Sequence, residues 1–441
     1  MPFMISSPIA DSRFRLTESV AVELANIYGT PLYVVDEAHF RTRIRTYLNA
    51  FRAAYAKSEI SLASKANSTM ALVKIAYQEG CTIDVASEGE LRVALAAGVP
   101  GSKCHLHGNN KQRDELQFAL DNGIGHIVAD NFDEIELLDE LLVGELKKTT
   151  KIVLRLAPGV DPATHAKIST GQADTKFGFN IADGSAEKAA TRCLELGFNL
   201  YGFHCHVGSQ LLDPEAQRSG GELIALFAIE MLKKHGYTAE YLNVGGGLGV
   251  QYTSKDQPMG MEDYCRLIVE TVTTTLSGSG IDPVLGQEPG RSLVAESGLT
   301  LYRVGVIKTV PAQTIGRRTY VAVDGGLSDN PRPALYGSKY TVERVAPAPN
   351  EGDSQTVTVS GKHCETDKLF EDIALPADLK VGDLIQVLCT GAYNAAMASN
   401  YNRYQRPAMA LLREDGTHTL IQRRETWEEM LSRDLLPDDL K

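Results

Sequence analysis

The chain lacks any unbroken apolar stretch approaching the roughly 20 residues a helix needs to cross a bilayer. Its opening residues, 1–15, contain no apolar core of the kind a secretory signal carries. Both absences argue against a membrane or exported protein, and the expectation is a cytoplasmic one. Closely spaced cysteines are also missing. The seven present, Cys81, Cys104, Cys193, Cys205, Cys265, Cys364 and Cys389, are odd in number and scattered, which excludes a disulfide framework and a zinc ribbon. Positive charge is short: 44 Lys and Arg stand against 56 Asp and Glu, a net −12, and no basic stripe is present. Such a chain has little with which to release counterions from a phosphate backbone, so nucleic acid and anionic membrane are poor partners. Low-complexity tracts and repeats of fixed period are absent as well. What is left is 441 residues, 43% hydrophobic and 23% charged, the composition of a globular protein too long for one ordinary core. One large and one smaller domain are expected.

Short apolar runs alternate with helix-patterned segments between Glu59 and Arg291. The runs begin at Ile60, Thr82, Lys103, His126, Ile152, Leu200, Tyr241 and Pro283. Between them, segments such as Thr69–Tyr77 and Glu88–Leu95 space apolar residues three and four apart, as a helix resting on one face does. Strand then helix, eight times over about 250 residues, predicts a (β/α)8 barrel. Beyond Arg291 the texture turns to strand-like runs with turn signals, at Leu301–Ile307, Thr319–Val323, Thr356–Val359 and Leu384–Leu388. The expected division is a barrel over 36–291 and a β-rich domain, a sandwich or a barrel, built from 1–35 plus 292–441. The apolar stretch Pro31–Val35 is expected to pair with that second domain, since chain ends often meet.

Barrel enzymes assemble their sites where the strands end at their C-terminal side. Polar or glycine-rich residues follow every predicted strand: Lys65, then Asp84 and Ser87, His107, Asp130, Arg155, His206, Gly245 to Gly247, and finally Glu288 with Arg291. Any one of these alone reads as a surface or capping residue. Agreement around the whole rim points to a site. Lys65, in Ala-Ser-Lys-Ala-Asn after an apolar strand, is either a solvated loop lysine or an amine poised for a Schiff base. Gly245, Gly246 and Gly247 put three residues without side chains between a strand and a helix, where amide N–H groups can approach a phosphate. The Lys-Ser/Thr ending of a nucleotide P-loop is absent, which disfavours ATP. A carboxylate such as Glu288 placed against a pyridine nitrogen keeps that nitrogen protonated and the ring electron-accepting. His204 and His206 alternate along one strand and share a face, which raises a metal site as an alternative. No further ligand set is evident at the rim, so no metal is expected and a flat imidazole at His206 stacking on a cofactor ring is favoured.

Together these residues resemble the fold-type III pyridoxal-phosphate decarboxylases, and in particular the diaminopimelate decarboxylases, over about residues 30–407. The motifs carrying the likeness are Ala-Ser-Lys-Ala-Asn at Lys65, Asp-Val-Ala-Ser-Glu-Gly-Glu at Asp84, Leu-Arg-Leu-Ala-Pro-Gly-Val around Arg155, the run from Ser169 to Gly178, Cys-His-Val-Gly-Ser-Gln at His206, Asn-Val-Gly-Gly-Gly-Leu-Gly from Asn243 and Glu-Pro-Gly-Arg at Glu288. The run from Asp324 to Gly337, His-Cys-Glu-Thr from His363 and Thr-Gly-Ala-Tyr-Asn around Tyr393 continue it. The resemblance implies pyridoxal 5′-phosphate bound by Lys65 as Schiff-base lysine, with His206 stacking on the ring and Glu288 at its nitrogen. It implies Asp84, Ser209, Gly245, Gly246, Gly247, Gly290, Arg291 and Tyr393 as further cofactor-binding residues. Arg291, Arg332, Tyr336, Glu365 and Tyr393 would contact substrate, and Cys364 would be the proton donor, supplied by the partner subunit of a homodimer. The implied activity is conversion of meso-2,6-diaminopimelate to L-lysine and carbon dioxide, the last step of lysine biosynthesis.

One departure stands out: the usual Glu-Ser-Gly-Asp after the cysteine is here Glu365, Thr366, Asp367 and Lys368. Losing the glycine removes an easy left-handed backbone and places the loop's path in question. Three other readings compete. A decarboxylase of ornithine, arginine or carboxynorspermidine would not need the Arg332 and Tyr336 motifs. An amino-acid racemase would place arginine where Glu288 stands. A non-catalytic cofactor carrier would have no use for Cys364 and Tyr393.

Overall fold

A computed structural model describes residues 11–159, 175–312, 316–345, 353–366 and 368–440. They divide into two compact units, one within Arg41–Val250 and Gln257–Leu293, the other within 11–40, Gln251–Asp256 and 294–440.

The first strand, β1 (Leu32–Asp36), belongs to the second unit. In the first, β2 (Ser58–Ala63), β3 (Thr82–Val85), β4 (Cys104–Leu106), β5 (His126–Ala129), β6 (Lys151–Ala157), β8 (Asn199–Cys205), β9 (Tyr241–Asn243) and β10 (Val284–Gln287) pair in parallel, and the two-residue β7 (Phe179–Asn180) leans on β6. The β5–β6 and β10–β2 pairings close the ring into an eight-stranded barrel. Strands β3, β4 and β5 are buried at every position, which is why they read as short apolar runs rather than alternating ones. Two of the helices between strands start on side-chain caps. Ser87, counted above among the rim residues, accepts the Glu90 N–H at 3.2 Å and begins helix Glu88–Ala96. Asn131 does the same for Phe132–Leu141 through the Glu134 N–H at 2.9 Å.

The second unit is built on β1, which runs antiparallel to β11 (Gly298–Ala312) with Leu32 opposite Leu301, and parallel to β17 (Ala408–Leu412) with Leu32 opposite Ala408. The sheet extends through β12 (Gly316–Val323), β14 (Ser354–Ser360) and β15 (Phe370–Pro376) on one side and β18 (His418–Gln422) on the other. β16 (Leu384–Leu388) pairs with β11 and with β13 (Val342–Arg344). Leu32, Val34, Leu299, Leu301, Leu388 and Ala410 pack with Ala21, Leu24 and Ala25 of helix Glu18–Tyr28. Each fully buried Leu or Val there contributes roughly 1.5–3 kcal/mol, so the N-terminal segment is bound to this unit by its apolar face.

The boundary departs from the expected 36 and 291 in one respect of interest. Residues Gln251–Asp256 leave the barrel unit and join the second. The Gln251 N–H donates to Glu296 Oε1 at 3.1 Å and the Tyr252 carbonyl accepts the Thr341 N–H at 3.1 Å, partners far away in sequence that no local pattern reveals. Among the described residues no helix is long and apolar enough to cross a membrane.

Candidate active site

Lys65 sits on a single 3-10 turn, Ser64–Ala66, directly after β2. The turn is pinned by Ser64, whose hydroxyl donates to Glu90 Oε2 at 2.7 Å, the same oxygen that accepts the Ala86 N–H at 2.8 Å. Lys65 itself is exposed at the barrel mouth. Glu288 directly follows the neighbouring β10, and the two segments touch: the Ala63 N–H donates to the Pro289 carbonyl at 3.2 Å. A Cβ on Gly290 would lie 3.0 Å from Ala66 Cβ and 3.1 Å from Ala63 Cβ, so the Glu288 loop lies flat against the lysine turn only because residue 290 has no side chain. Lysine and carboxylate therefore share one end of the barrel.

Glu288 is buried. Its Oε2 lies 2.9 Å from His204 Nε2, its Oε1 accepts from Asn243 Nδ2 at 2.8 Å, and His107 Nε2 approaches Oε1 to 3.0 Å. Burial opposes its ionisation, yet His107 and His204 outweigh that and hold its carboxyl well below the usual carboxylate range. Asp84, 3.7 Å from His107 Nε2, is pushed the other way, to about 6, by burial that His107 only partly offsets. Burial lowers His107, but Asp84 and Glu288 more than compensate and its pKa is raised. His204 is pushed down to about 4 by burial, and His206 to about 3 by burial with the charges of Lys65 and Arg155. Lys65 thus acts electrostatically on both Asp84 and His206. At neutral pH the site holds a fixed anion at Glu288 and neutral imidazoles at His204 and His206.

The nitrogens and oxygens of His107, His204 and Glu288 lie within 4.8 Å of one another. The sequence argument that the rim offers no further ligand set is corrected here, because β4 and β10 bring His107 and Glu288 to His204, while His206 lies one residue beyond the end of β8. The separations are those of imidazole–carboxylate pairs, which account for the cluster.

The adjoining part of the rim is formed by the loops after β8, β9 and β10. Gly245 and Gly247 have φ of +70° and +149°, open to glycine, and a Cβ on Gly246 would overlap the Glu288 carbonyl oxygen. The Glu288 N–H donates to the Gly245 carbonyl at 2.9 Å, and the Leu211 N–H to the Gly247 carbonyl at 2.9 Å, so the turn is tied to both neighbouring loops. Arg291 Nη2 donates to Ser209 Oγ at 3.0 Å beside them. An amine, a buried anion and a glycine cradle next to a guanidinium are the groups that pyridoxal 5′-phosphate requires at its aldehyde, ring nitrogen and phosphate. The residues fit it.

In the second unit, Arg332 is 8% exposed, so its guanidinium is largely withdrawn from solvent. Its Nε donates to Tyr340 Oη at 2.8 Å and its Nη2 to Ser338 Oγ at 3.3 Å. The rings of Tyr252, Tyr336 and Tyr393 surround the guanidinium, with centroids 5.8, 5.5 and 5.6 Å away. Six of the seven cysteines are buried and Cys364 is exposed. The Cys364 N–H donates to Asn402 Oδ1 at 3.0 Å, and Tyr401 donates its hydroxyl proton to Glu365. Asp367, the departure in that loop, and residues 169–174 of the motif from Ser169 lie outside the described residues.

Sequence reading missed Asn243 and the pairing of His107 with Glu288. Asn243 is two residues from Tyr241 on the same face of β9, and its place directly before the glycine turn was the available signal.

Residues 41–295 match the family described as pyridoxal-dependent decarboxylase, pyridoxal binding domain. The chain is 45% identical over 418 residues to the diaminopimelate decarboxylase of Bacillus subtilis, covering 94% of this chain and 93% of the relative. Among solved structures, diaminopimelate decarboxylase from M. jannaschii superposes with a TM-score of 0.89 at 34% identity, covering 98% of each chain. The same enzyme in complex with L-lysine superposes at 0.86, again at 34% identity, with 96% of this chain and 95% of that one covered. An ionised carboxylate and a lysine at one barrel mouth, with likeness along nearly the whole length, place this chain in the diaminopimelate decarboxylase family of pyridoxal-dependent decarboxylases.

Proposed function

We propose that this protein removes the carboxyl group at one end of meso-2,6-diaminopimelate to give L-lysine and carbon dioxide, as a cytoplasmic homodimer whose subunits complete each other's sites. The observation that carries the chemistry is Glu288, anionic although buried, at the same mouth as Lys65. Pyridoxal 5′-phosphate, when bound, supplies a ring that accepts the electron pair released as the bond to the carboxylate breaks. Lys65 anchors the cofactor through its amine. Glu288, kept ionised by His107 and His204, holds a proton on the pyridine nitrogen, and Asp84 supports it through His107. His206, uncharged at neutral pH, offers a flat face for stacking. Ser209, Gly245, Gly246, Gly247, Gly290, Arg291 and Tyr393 receive the phosphate.

Arg332, oriented by Tyr340 and Ser338, suits the substrate's distal carboxylate, and Glu365 its distal ammonium. Tyr336, Tyr393 and Arg291 complete the substrate contacts. Cys364 gives a proton to the substrate carbon after carbon dioxide leaves, and its exposure supports delivery to a partner subunit. A carboxylate rather than arginine at residue 288 separates this reading from a racemase.

The test is to supply the purified protein with pyridoxal phosphate and, separately, meso-diaminopimelate, lysine, ornithine and arginine, and to measure carbon dioxide. Release from the first alone is expected. Release from ornithine or arginine but not from diaminopimelate overturns the substrate assignment. Lys65→Ala should lose the visible absorption of the bound cofactor, and persistence of that band would assign the anchor to another lysine.

A further inference from the structure

Barrel interiors are ordinarily filled by branched apolar side chains, but beneath the Lys65–Glu288 mouth this one contains a buried polar chain. Asn243, fully buried on β9, spends its whole side-chain amide on three neighbours. Its Nδ2 donates to Glu288 Oε1 at 2.8 Å and to Tyr241 Oη at 2.8 Å, and its Oδ1 accepts the Gly245 N–H at 2.8 Å. The amide cannot be flipped, since that would face an oxygen toward the Glu288 carboxylate and an NH2 group toward the Gly245 N–H. Tyr241 in turn donates to Glu59 Oε1 at 3.2 Å, near the start of β2. Gly286, on the adjacent strand, makes room: a Cβ there would overlap the Tyr241 hydroxyl and lie 3.0 Å from Asn243 Nδ2. Tyr201 stacks on the Tyr241 ring at 5.2 Å and 13°. A tyrosine hydroxyl inside the barrel is therefore held by packing as well as by hydrogen bonds.

We propose that Asn243 is a positioning residue that couples the two ends of the cofactor site, fixing the Glu288 carboxylate for the pyridine nitrogen and, through Gly245, the glycine turn for the phosphate, with Tyr241 and Glu59 holding the amide in register. This rests on reading Glu288 and Gly245–Gly247 as the cofactor's two contacts. No other described side chain bonds to both.

The experiment compares wild type, Asn243→Ala, Asn243→Asp and Tyr241→Phe. Three quantities are read: the dissociation constant of pyridoxal phosphate from the apoprotein, the phosphorus-31 resonance of the bound cofactor, and the pH profile of kcat with meso-diaminopimelate. Asn243→Ala loses both bonds, so the constant rises about tenfold or more and the phosphorus resonance moves. Asn243→Asp keeps an acceptor for Gly245 but sets a second carboxylate oxygen against Glu288. It should retain the wild-type resonance while its pH profile shifts by about one unit or more. Tyr241→Phe preserves the ring packing and should shift the pH profile by less.

A purely architectural role predicts lower melting temperatures with cofactor affinity within twofold, resonance and pH profile unchanged, and that result overturns the proposal. Should the Asn243 variants not fold, Tyr241→Phe decides, because an unmoved pH profile in that variant also overturns it. A wild-type protein that binds no cofactor sinks the underlying site reading instead, so the two failures are distinguishable.

Discussion

Replacing Glu288 by glutamine keeps the side chain's shape and removes its charge, so the consequences follow from electrostatics. His107 Nε2 and His204 Nε2 lie 3.0 and 2.9 Å from the two carboxylate oxygens. Two unit charges about 3 Å apart at an effective dielectric near 20 attract by roughly 5 kcal/mol, about four pKa units. The same attraction is what the carboxylate offers to a protonated pyridine nitrogen in contact with it, and a neutral amide offers almost none. Part of the loss is recovered, because His107 depends on the same anion and gives up its raised pKa when only Asp84, at 3.7 Å, remains to support it. The net expectation is a fall in kcat of about a thousandfold, corresponding to roughly 4 kcal/mol of lost stabilisation. Carbon dioxide release at saturating meso-diaminopimelate measures it, and side-chain nitrogen-15 spectra of the histidines follow His107 in parallel. Activity within tenfold of wild type, with His107 titrating as before, would show that residue 288 does not hold the ring nitrogen's proton.

Two further outcomes are expected. If Cys364 serves the site of the partner subunit, an equal mixture of the inactive variants Lys65→Ala and Cys364→Ser should regain roughly a quarter of wild-type activity after subunit exchange, because half the dimers are mixed and each has one intact site; no recovery would place both residues in one subunit's site. Asp329, buried in the second unit, accepts from the Tyr302 hydroxyl and from the Gly326 N–H at 2.8 Å, and burial raises its pKa from the ordinary 3.8 to about 7. A carboxyl whose folded pKa is raised contributes stability that is complete below its unfolded value and is lost as pH climbs through its folded one. Asp329→Asn should therefore match wild type in melting temperature near pH 4 and exceed it by several degrees at pH 8. A difference independent of pH would refute this.

The barrel was legible because its strands are buried on both faces, which turns each into a short apolar run, and because the helices between them keep a 3.6-residue period. The eight runs from Ile60 to Pro283 are the eight barrel strands. Rim residues could be named from the same count, since a strand's end marks the residue that follows it. Pairing of β1 with the second unit was also accessible, as an apolar segment outside the barrel count needs another sheet.

Chain order alone thus determined the sequence of elements, the end of the barrel that carries polar groups, and the lysine and carboxylate offered there. It could not say which rim residues meet, because contact across a closed barrel depends on strand register. His204 and Glu288 are 84 residues apart and only the β8–β9–β10 pairing sets them 2.9 Å from each other. The same holds for Ser87, which capping claims, for Gln251–Asp256, which distant hydrogen bonds draw into the second unit, and for Arg332, which tyrosines bury. Local pattern records each residue's solvent and backbone preferences, whereas ionisation and pairing are set by neighbours that only the folded chain supplies.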